Sequence, residues 1–162
     1  MHILHGLHQQ TKKSKRGMEE EMVKVGILGY GTVGSGVFEI LNKNSDIITK
    51  RAGQDIEVKY VLDLRDFPGD PAEKYVVHDF SILENDDEVK IVVETMGGLH
   101  PAYEFVKASL LKGKNVVTSN KALVAAFGTE LLQIARDKNV NFLFEASVGG
   151  GIPIIRPLQT SL

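Results

Sequence analysis

Apolar residues along this chain fall into short unbroken runs, separated by stretches in which they recur every three or four positions. Val23–Leu28 is the first run, rich in branched residues and of the length of a buried strand. Val33, Val37, Ile40 and Leu41 follow at helical spacing. Residues 57–63 predict a second strand, residues 66–70, with Pro68 and Gly69, a turn, and residues 75–77 a weak third strand. A fourth strand is predicted over 91–94. Ala102, Phe105, Val106, Ser109 and Leu110 then mark one face of a helix, with Gly113 placed as its stop signal. Asn115–Thr118 predicts a fifth strand. Phe127, Leu131, Ile134 and Ala135 mark another helix, and residues 140–145 a sixth strand.

Apolar strands alternating with helices predict a parallel sheet covered on both faces, because each parallel crossover needs a covering segment. Right-handed crossovers then give an α/β doubly wound parallel sheet, the class to which Rossmann-type dinucleotide-binding domains belong. The domain is expected over residues 22–148. Residues 149–162, where Pro153 and Pro157 flank 154–156, read as the start of a further, truncated element.

Composition narrows the class. The chain has 162 residues and a net charge of −2, which gives no electrostatic argument for nucleic acid or for an anionic membrane surface. It has no cysteine, so disulfides and thiolate metal sites are excluded. No apolar run approaches the roughly 18 residues of a membrane-spanning helix. A soluble, cytoplasmic protein is expected. Residues 1–21 carry a basic run (Lys12, Lys13, Lys15, Arg16) and then an acidic one, and read as a disordered leader or appended extension. His2, His5 and His8 within it admit a metal-binding reading, which the charge blocks around them do not favour.

The densest chemistry lies between the first strand and the first helix. Gly29-Tyr30-Gly31-Thr32-Val33-Gly34 is G-x-G-x-x-G. The first glycine permits the tight turn, the second admits a pyrophosphate close to the backbone, and the third lets helix and strand pack closely. The helix N-terminus then offers N–H groups and partial positive charge to the phosphates. An acid at the end of the second strand completes the fingerprint by bonding the adenosine ribose, and Asp63 stands there, after an unusually long interval. Arg65 follows closely. Asp63 favours NAD and Arg65 favours the 2′-phosphate of NADP, so the sequence offers both.

Two later strands end in small or polar residues, Glu94-Thr95-Met96-Gly97-Gly98 and Thr118-Ser119-Asn120-Lys121. Ligands of open α/β sheets sit at such carboxyl ends. Gly97 and Gly98 would let backbone approach the nicotinamide ribose, or simply make a turn. Ser119 or Asn120 would cap the next helix. Lys121 is a cation at a helix N-terminus, where cations are disfavoured, which points to a nearby anion or polarised carbonyl.

Four segments, G-I-L-G-Y-G-T-V-G-S-G-V, V-E-T-M-G-G, K-N-V-V-T-S-N-K-A-L and F-E-A-S-V-G-G-G-I-P-I-I-R-P-L, closely resemble the amino-terminal part of homoserine dehydrogenases. The resemblance covers essentially all of the chain after the leader. It implies an NAD(P)-dependent oxidoreductase that interconverts L-homoserine and L-aspartate 4-semialdehyde, in threonine, methionine and isoleucine biosynthesis. It implies cofactor contacts at Tyr30, Thr32 and Val33, and a supporting catalytic role for Lys121 beside nicotinamide and substrate. It further implies a monovalent-cation site, usually sodium, formed by the Glu145 carboxylate and the main-chain oxygens of Val148, Gly150 and Ile152. The cofactor set carried forward is Gly29, Tyr30, Gly31, Thr32, Val33, Gly34, Asp63, Arg65, Thr95, Gly97, Ser119 and Lys121.

Members of the family are much longer, with a substrate domain, most of a homo-oligomer interface and the principal acid and base beyond this point. The chain is therefore expected to be a cofactor domain without turnover of its own. Two other readings remain: a related two-domain dehydrogenase, acting on aspartate or on a semialdehyde, and a free-standing nucleotide sensor. The E-A-S-V-G-G-G-I-P segment argues against the sensor, since such modules end after the sixth strand.

Overall fold

The computed structural model describes residues 22–144. Six strands run in chain order: β1 (Val23–Leu28), β2 (Ile56–Leu62), β3 (Val76–Val77), β4 (Val89–Glu94), β5 (Asn115–Thr118) and β6 (Phe142–Leu143). Five helices connect them: α1 (Thr32–Lys43), α2 (Ser45–Ala52), α3 (Phe80–Glu84), α4 (Ala102–Leu111) and α5 (Lys121–Asp137), with a 3₁₀ turn at Glu73–Tyr75. All pairings are parallel and the strand order is β3-β2-β1-β4-β5-β6. The order reverses between β1 and β4, the switch point at which doubly wound sheets open a crevice.

The core forms two clusters, one on each face of the sheet. On one face Leu28, Val92, Val116 and Phe142 pack with Val106 and Leu110 of α4 and Leu123 and Leu131 of α5. On the other, Val25, Ile27, Val58 and Val61 pack with Phe38 of α1 and with Tyr30 and Ala72. Coverage is uneven. Val93, Val117 and Leu143 are in register on the α1 face, yet Val93 and Val117 are only half-buried and Leu143 is exposed. The expected cover on both faces is thus met over β1 and β2 but, among the described residues, not over β5 and β6.

Several boundaries differ from the sequence reading. The apolar face of α1 is Gly34, Val37, Phe38 and Leu41, whereas Val33 and Ile40 are 53% and 55% exposed. The pattern admitted two stripes, and the aromatic one wins because Phe38 buries more apolar area than either Val33 or Ile40 would. The long interval before Asp63 is taken up by α2, which buries no residue and ends at Gly53 in the left-handed conformation (φ 75°). β4 begins two residues before its predicted start, β2 is shifted back by one residue, and β3 starts one residue late but ends as predicted. Within the described residues β6 has only two residues of the predicted six. Gly113 does end α4's turn, with φ 75°. The cation ligands expected at Glu145, Val148, Gly150 and Ile152, the leader with its three histidines, and residues 149–162 lie outside the described residues.

Candidate functional site

The carboxyl ends of β1, β2 and β4 enclose a cleft of about 470 Å³. Its rim includes Gly29, Tyr30, Gly31, Asp63, Arg65 and Thr95, and its wall is largely apolar, with Leu62, Leu64, Phe80, Met96 and Phe105. Most of the residues carried forward on that side of the sheet therefore meet in one place. Thr32, Val33 and Gly34, in the first turn of α1, do not line the cleft, nor do Gly97, Ser119 and Lys121, which stand at the neighbouring ends of β4 and β5.

Each glycine of the fingerprint is held by a different constraint. Gly29 has φ +92°, a left-handed conformation that side chains resist, in the turn leaving β1. A Cβ on Gly34 would lie 2.0 Å from the Gly29 carbonyl oxygen, so helix and turn touch there. Gly31 is different: nothing lies within 4 Å of where its Cβ would be. No side chain caps α1, whose first turn also carries no acid. Open space at Gly31 beside an uncapped helix N-terminus fits a pyrophosphate, which needs close backbone approach and N–H donors.

Tyr30 is split between core and rim. Its ring packs edge-on against Phe38 and Phe67, and its hydroxyl donates to Asp70 at 2.8 Å. Burial, and then Asp70, push that phenol up to about 12. Its backbone N–H donates to Asp63 Oδ2 at 2.8 Å, which joins the glycine turn to the end of β2. Asp70 had no visible role in the sequence because its partner lies on another element.

Asp63 and Arg65 form one unit. Arg65 donates to Asp63 through its backbone N–H (3.0 Å) and through Nε (2.9 Å) and Nη2 (3.0 Å). Nη2 also reaches the Tyr30 carbonyl at 3.3 Å. With Tyr30 N–H, four donors address the two carboxylate oxygens, about their full accepting capacity. The Arg65 guanidinium holds the Asp63 carboxyl well below the usual range, and Asp63 in turn raises Arg65. The guanidinium stays 63% exposed, over the ring of Phe67 at 5.0 Å.

The ends of β4 and β5 are organised by a buried carboxylate. Glu94 is fully buried; one oxygen accepts from the N–H groups of Met96 (2.8 Å) and Gly97 (3.3 Å), the other from the Thr118 hydroxyl. Asn120 donates to the Gly98 carbonyl at 2.6 Å and caps α5 by accepting from Leu123 N–H at 3.1 Å. The cap of α5 is thus Asn120 and not Ser119. Gly97 and Gly98 both have positive φ, 75° and 71°. Thr95 donates to the carbonyls of Leu28 (3.1 Å) and Gly29 (2.9 Å), pinning the glycine turn. Lys121 opens α5, is exposed, and has no counter-ion among the described residues.

Sequence reasoning passed over His78. It directly follows β3, lines the cleft, and contacts the Asp63 carbonyl (2.7 Å) and the Asp66 carboxylate (3.0 Å). Its signal was its place at a strand's carboxyl end, obscured because β3 is only two residues long. Among the described residues no cluster of His, Asp or Glu has the makings of a metal site. None of the described helices is long and apolar enough to cross a membrane.

Comparison with known proteins agrees with this geometry. The family described as "Homoserine dehydrogenase, NAD binding domain" matches residues 29–145. A homoserine dehydrogenase of Pseudomonas aeruginosa is 43% identical over 141 residues, covering 86% of this chain and 32% of the relative. One from Helicobacter pylori is 43% identical over 145 residues, covering 88% and 34%. The crystal structure of a homoserine dehydrogenase from Thiobacillus denitrificans superimposes with a TM-score of 0.77 at 42% identity, covering 87% of this chain and 33% of that one. A hyperthermophilic archaeal homoserine dehydrogenase in complex with NADPH superimposes with a TM-score of 0.69 at 29% identity, covering 85% and 48%. The chain spans about a third of the length of the curated relatives it matches. A six-stranded parallel sheet with a glycine turn at its switch point, matched over most of the chain by these proteins, places it in the homoserine dehydrogenase family, as that family's nicotinamide-dinucleotide-binding domain.

Proposed function

We propose that this chain is the cofactor-binding part of a cytoplasmic enzyme of amino-acid biosynthesis, one that interconverts L-homoserine and L-aspartate 4-semialdehyde, and that it takes NADP(H) in preference to NAD(H). The observation that carries the cofactor preference is the saturation of Asp63. A ribose 2′-hydroxyl needs a free carboxylate lone pair, and Tyr30 and Arg65 address both oxygens. A 2′-phosphate needs an exposed cation, and Arg65 is one, its guanidinium 5.0 Å from the Phe67 ring centre. The NADPH complex of an archaeal relative accords with this choice.

The remaining groups suit the rest of a nicotinamide dinucleotide. Gly31 and the first turn of α1 would receive the pyrophosphate, and the apolar wall the adenine. The nicotinamide would lie toward Gly97, Ser119 and Lys121, where it gives or takes hydride. There the Glu94 and Asn120 contacts fix the loops, and the Lys121 ammonium would polarise the substrate carbonyl.

Calorimetric titration of the 162-residue chain with NADPH and with NADH tests this. NADPH should bind at least about tenfold more tightly, the worth of one charge-assisted contact. Arg65→Ala should remove that margin, with NADH bound at least as tightly as before, because Asp63 loses the Nε and Nη2 donors. Equal affinity, or tighter NADH, would return the site to Asp63 and to NAD.

A further inference from the structure

We propose that His78 is the second cationic arm of the 2′-phosphate site, and that the Asp66 carboxylate occupies the phosphate's place on it until the ligand arrives. This rests on the NADP(H) reading above. The argument starts from the partners of the ring. Nδ1 lies 2.7 Å from the Asp63 carbonyl oxygen and Nε2 lies 3.0 Å from a carboxylate oxygen of Asp66. Neither a carbonyl nor a carboxylate can donate, so both ring nitrogens must carry protons for both bonds to form. The geometry is that of an imidazolium. The Asp63 carbonyl and, after it, Asp66 accordingly raise His78 above its ordinary value.

The two contacts differ in strength. The Asp63 carbonyl belongs to the backbone at the end of β2, where Asp63 N–H pairs with Val77, so the bond orients the ring firmly. Asp66 is 85% exposed, and an exposed ion pair contributes little. An arriving oxyanion with higher charge can displace it. His78 and Arg65 are both anchored on Asp63, His78 through the carbonyl and Arg65 through the carboxylate, and both line the same cleft. The charged groups around His78 are Asp63, Arg65 and Asp66 from the β2 side and Asp79 from the start of α3. Asp63 is neutralised by Arg65. Asp79 turns its carboxylate to Ser81 N–H. Asp66 is the one carboxylate left bonded to the ring.

The sign of the pH dependence follows. A neutral His78 offers no second donor, so the extra affinity for a 2′-phosphate is present at low pH and lost as pH rises through the imidazolium's pKa. The ligand's own titration runs the other way, since a phosphate monoester gains charge above about pH 6. The measurement is calorimetric titration of the 162-residue chain and of His78→Gln with NADPH and NADH, from about pH 7 to about pH 9, where the monoester is already largely dianionic. The NADPH-to-NADH affinity ratio of the unmodified chain should fall as pH rises across that range, the direction set by the raised pKa of His78. In His78→Gln it should start lower and stay flat, with NADH affinity unchanged. Asp66→Asn should tighten NADPH about threefold and leave NADH alone, because a competing anion is gone.

A flat ratio in the unmodified chain, or a parallel fall in His78→Gln, overturns the role of His78 while leaving Arg65 in place. Equal weakening of NADPH and NADH in His78→Gln would make His78 a structural residue and overturn it too. Weaker NADPH binding by Asp66→Asn would remove Asp66 as the placeholder. Failure of the unmodified chain to bind either nucleotide overturns the reading of the cleft itself.

Discussion

At the carboxyl end of β2, charged groups pair with one another at the rim of an open cleft. There a largely buried Asp63 pairs with an exposed Arg65, and the exposed pair of His78 and Asp66 stands beside them. At the ends of β4 and β5 the central charge is buried instead. Glu94 turns inward, takes backbone N–H groups and a hydroxyl, and leaves Lys121 outside with no described partner. The first region can exchange one partner, because the His78–Asp66 pair is exposed and exposed ion pairs are weak and reversible, while Asp63 keeps its four donors. The second is built to hold a shape, because a buried carboxylate stripped of its donors is strongly destabilising. A binding site for a mobile, multiply charged ligand and a rigid platform for a reacting group would call for those two solutions.

The contrast can be broken from either side. The largest effect is expected at the hinge between the two regions. Gly34→Ala puts a Cβ 2.0 Å from the Gly29 oxygen and 2.9 Å from Thr95 Oγ1, the atom that ties β4 to the glycine turn. Backbone cannot yield there as a flexible side chain would, so urea denaturation should show a loss of about 3 kcal/mol or more. Stability within about 0.5 kcal/mol of the parent would mean that the turn is not packed as described.

Gly31→Val is the counterpart in the exchanging region. The position is open and its φ of −85° suits any residue, so stability should change by about 1 kcal/mol or less. NADPH affinity should nevertheless drop at least about a hundredfold, since the β-branched side chain fills the pyrophosphate's approach. Retained affinity would remove the phosphates from this turn. Asn120→Ala is the smallest of the three. It removes the cap on Leu123 N–H and the bond to the Gly98 carbonyl, and thermal denaturation should register about 1–2 kcal/mol. No change in melting would mean that the β4 and β5 loops are held without this link.

Strands β1, β4 and β5 were legible in the sequence because each is rich in branched apolar residues and bounded by turn signals. Asn115–Thr118 and Val23–Leu28 match their predicted limits. The helix faces were less so. Val33 and Ile40 keep the helical spacing as well as Val37 and Leu41 do, and only the position of Phe38 over β1 and β2 decides which stripe is buried. The glycine turn was legible in its spacing, but the three different reasons for its glycines were not.

By itself the sequence determined a parallel α/β sheet, a dinucleotide turn after its first strand, and a pair of opposite charges beyond the second. Those features are local: period, spacing and turn chemistry act over a few residues. Tertiary structure decided what the charges do. Asp63 is consumed by Tyr30 and Arg65, Glu94 by the β4 turn and Thr118, and His78 is brought against Asp63 and Asp66. A carboxylate's role depends on which donors reach it, and Tyr30, Thr118 and His78 arrive from other strands and loops that only the folded sheet sets side by side.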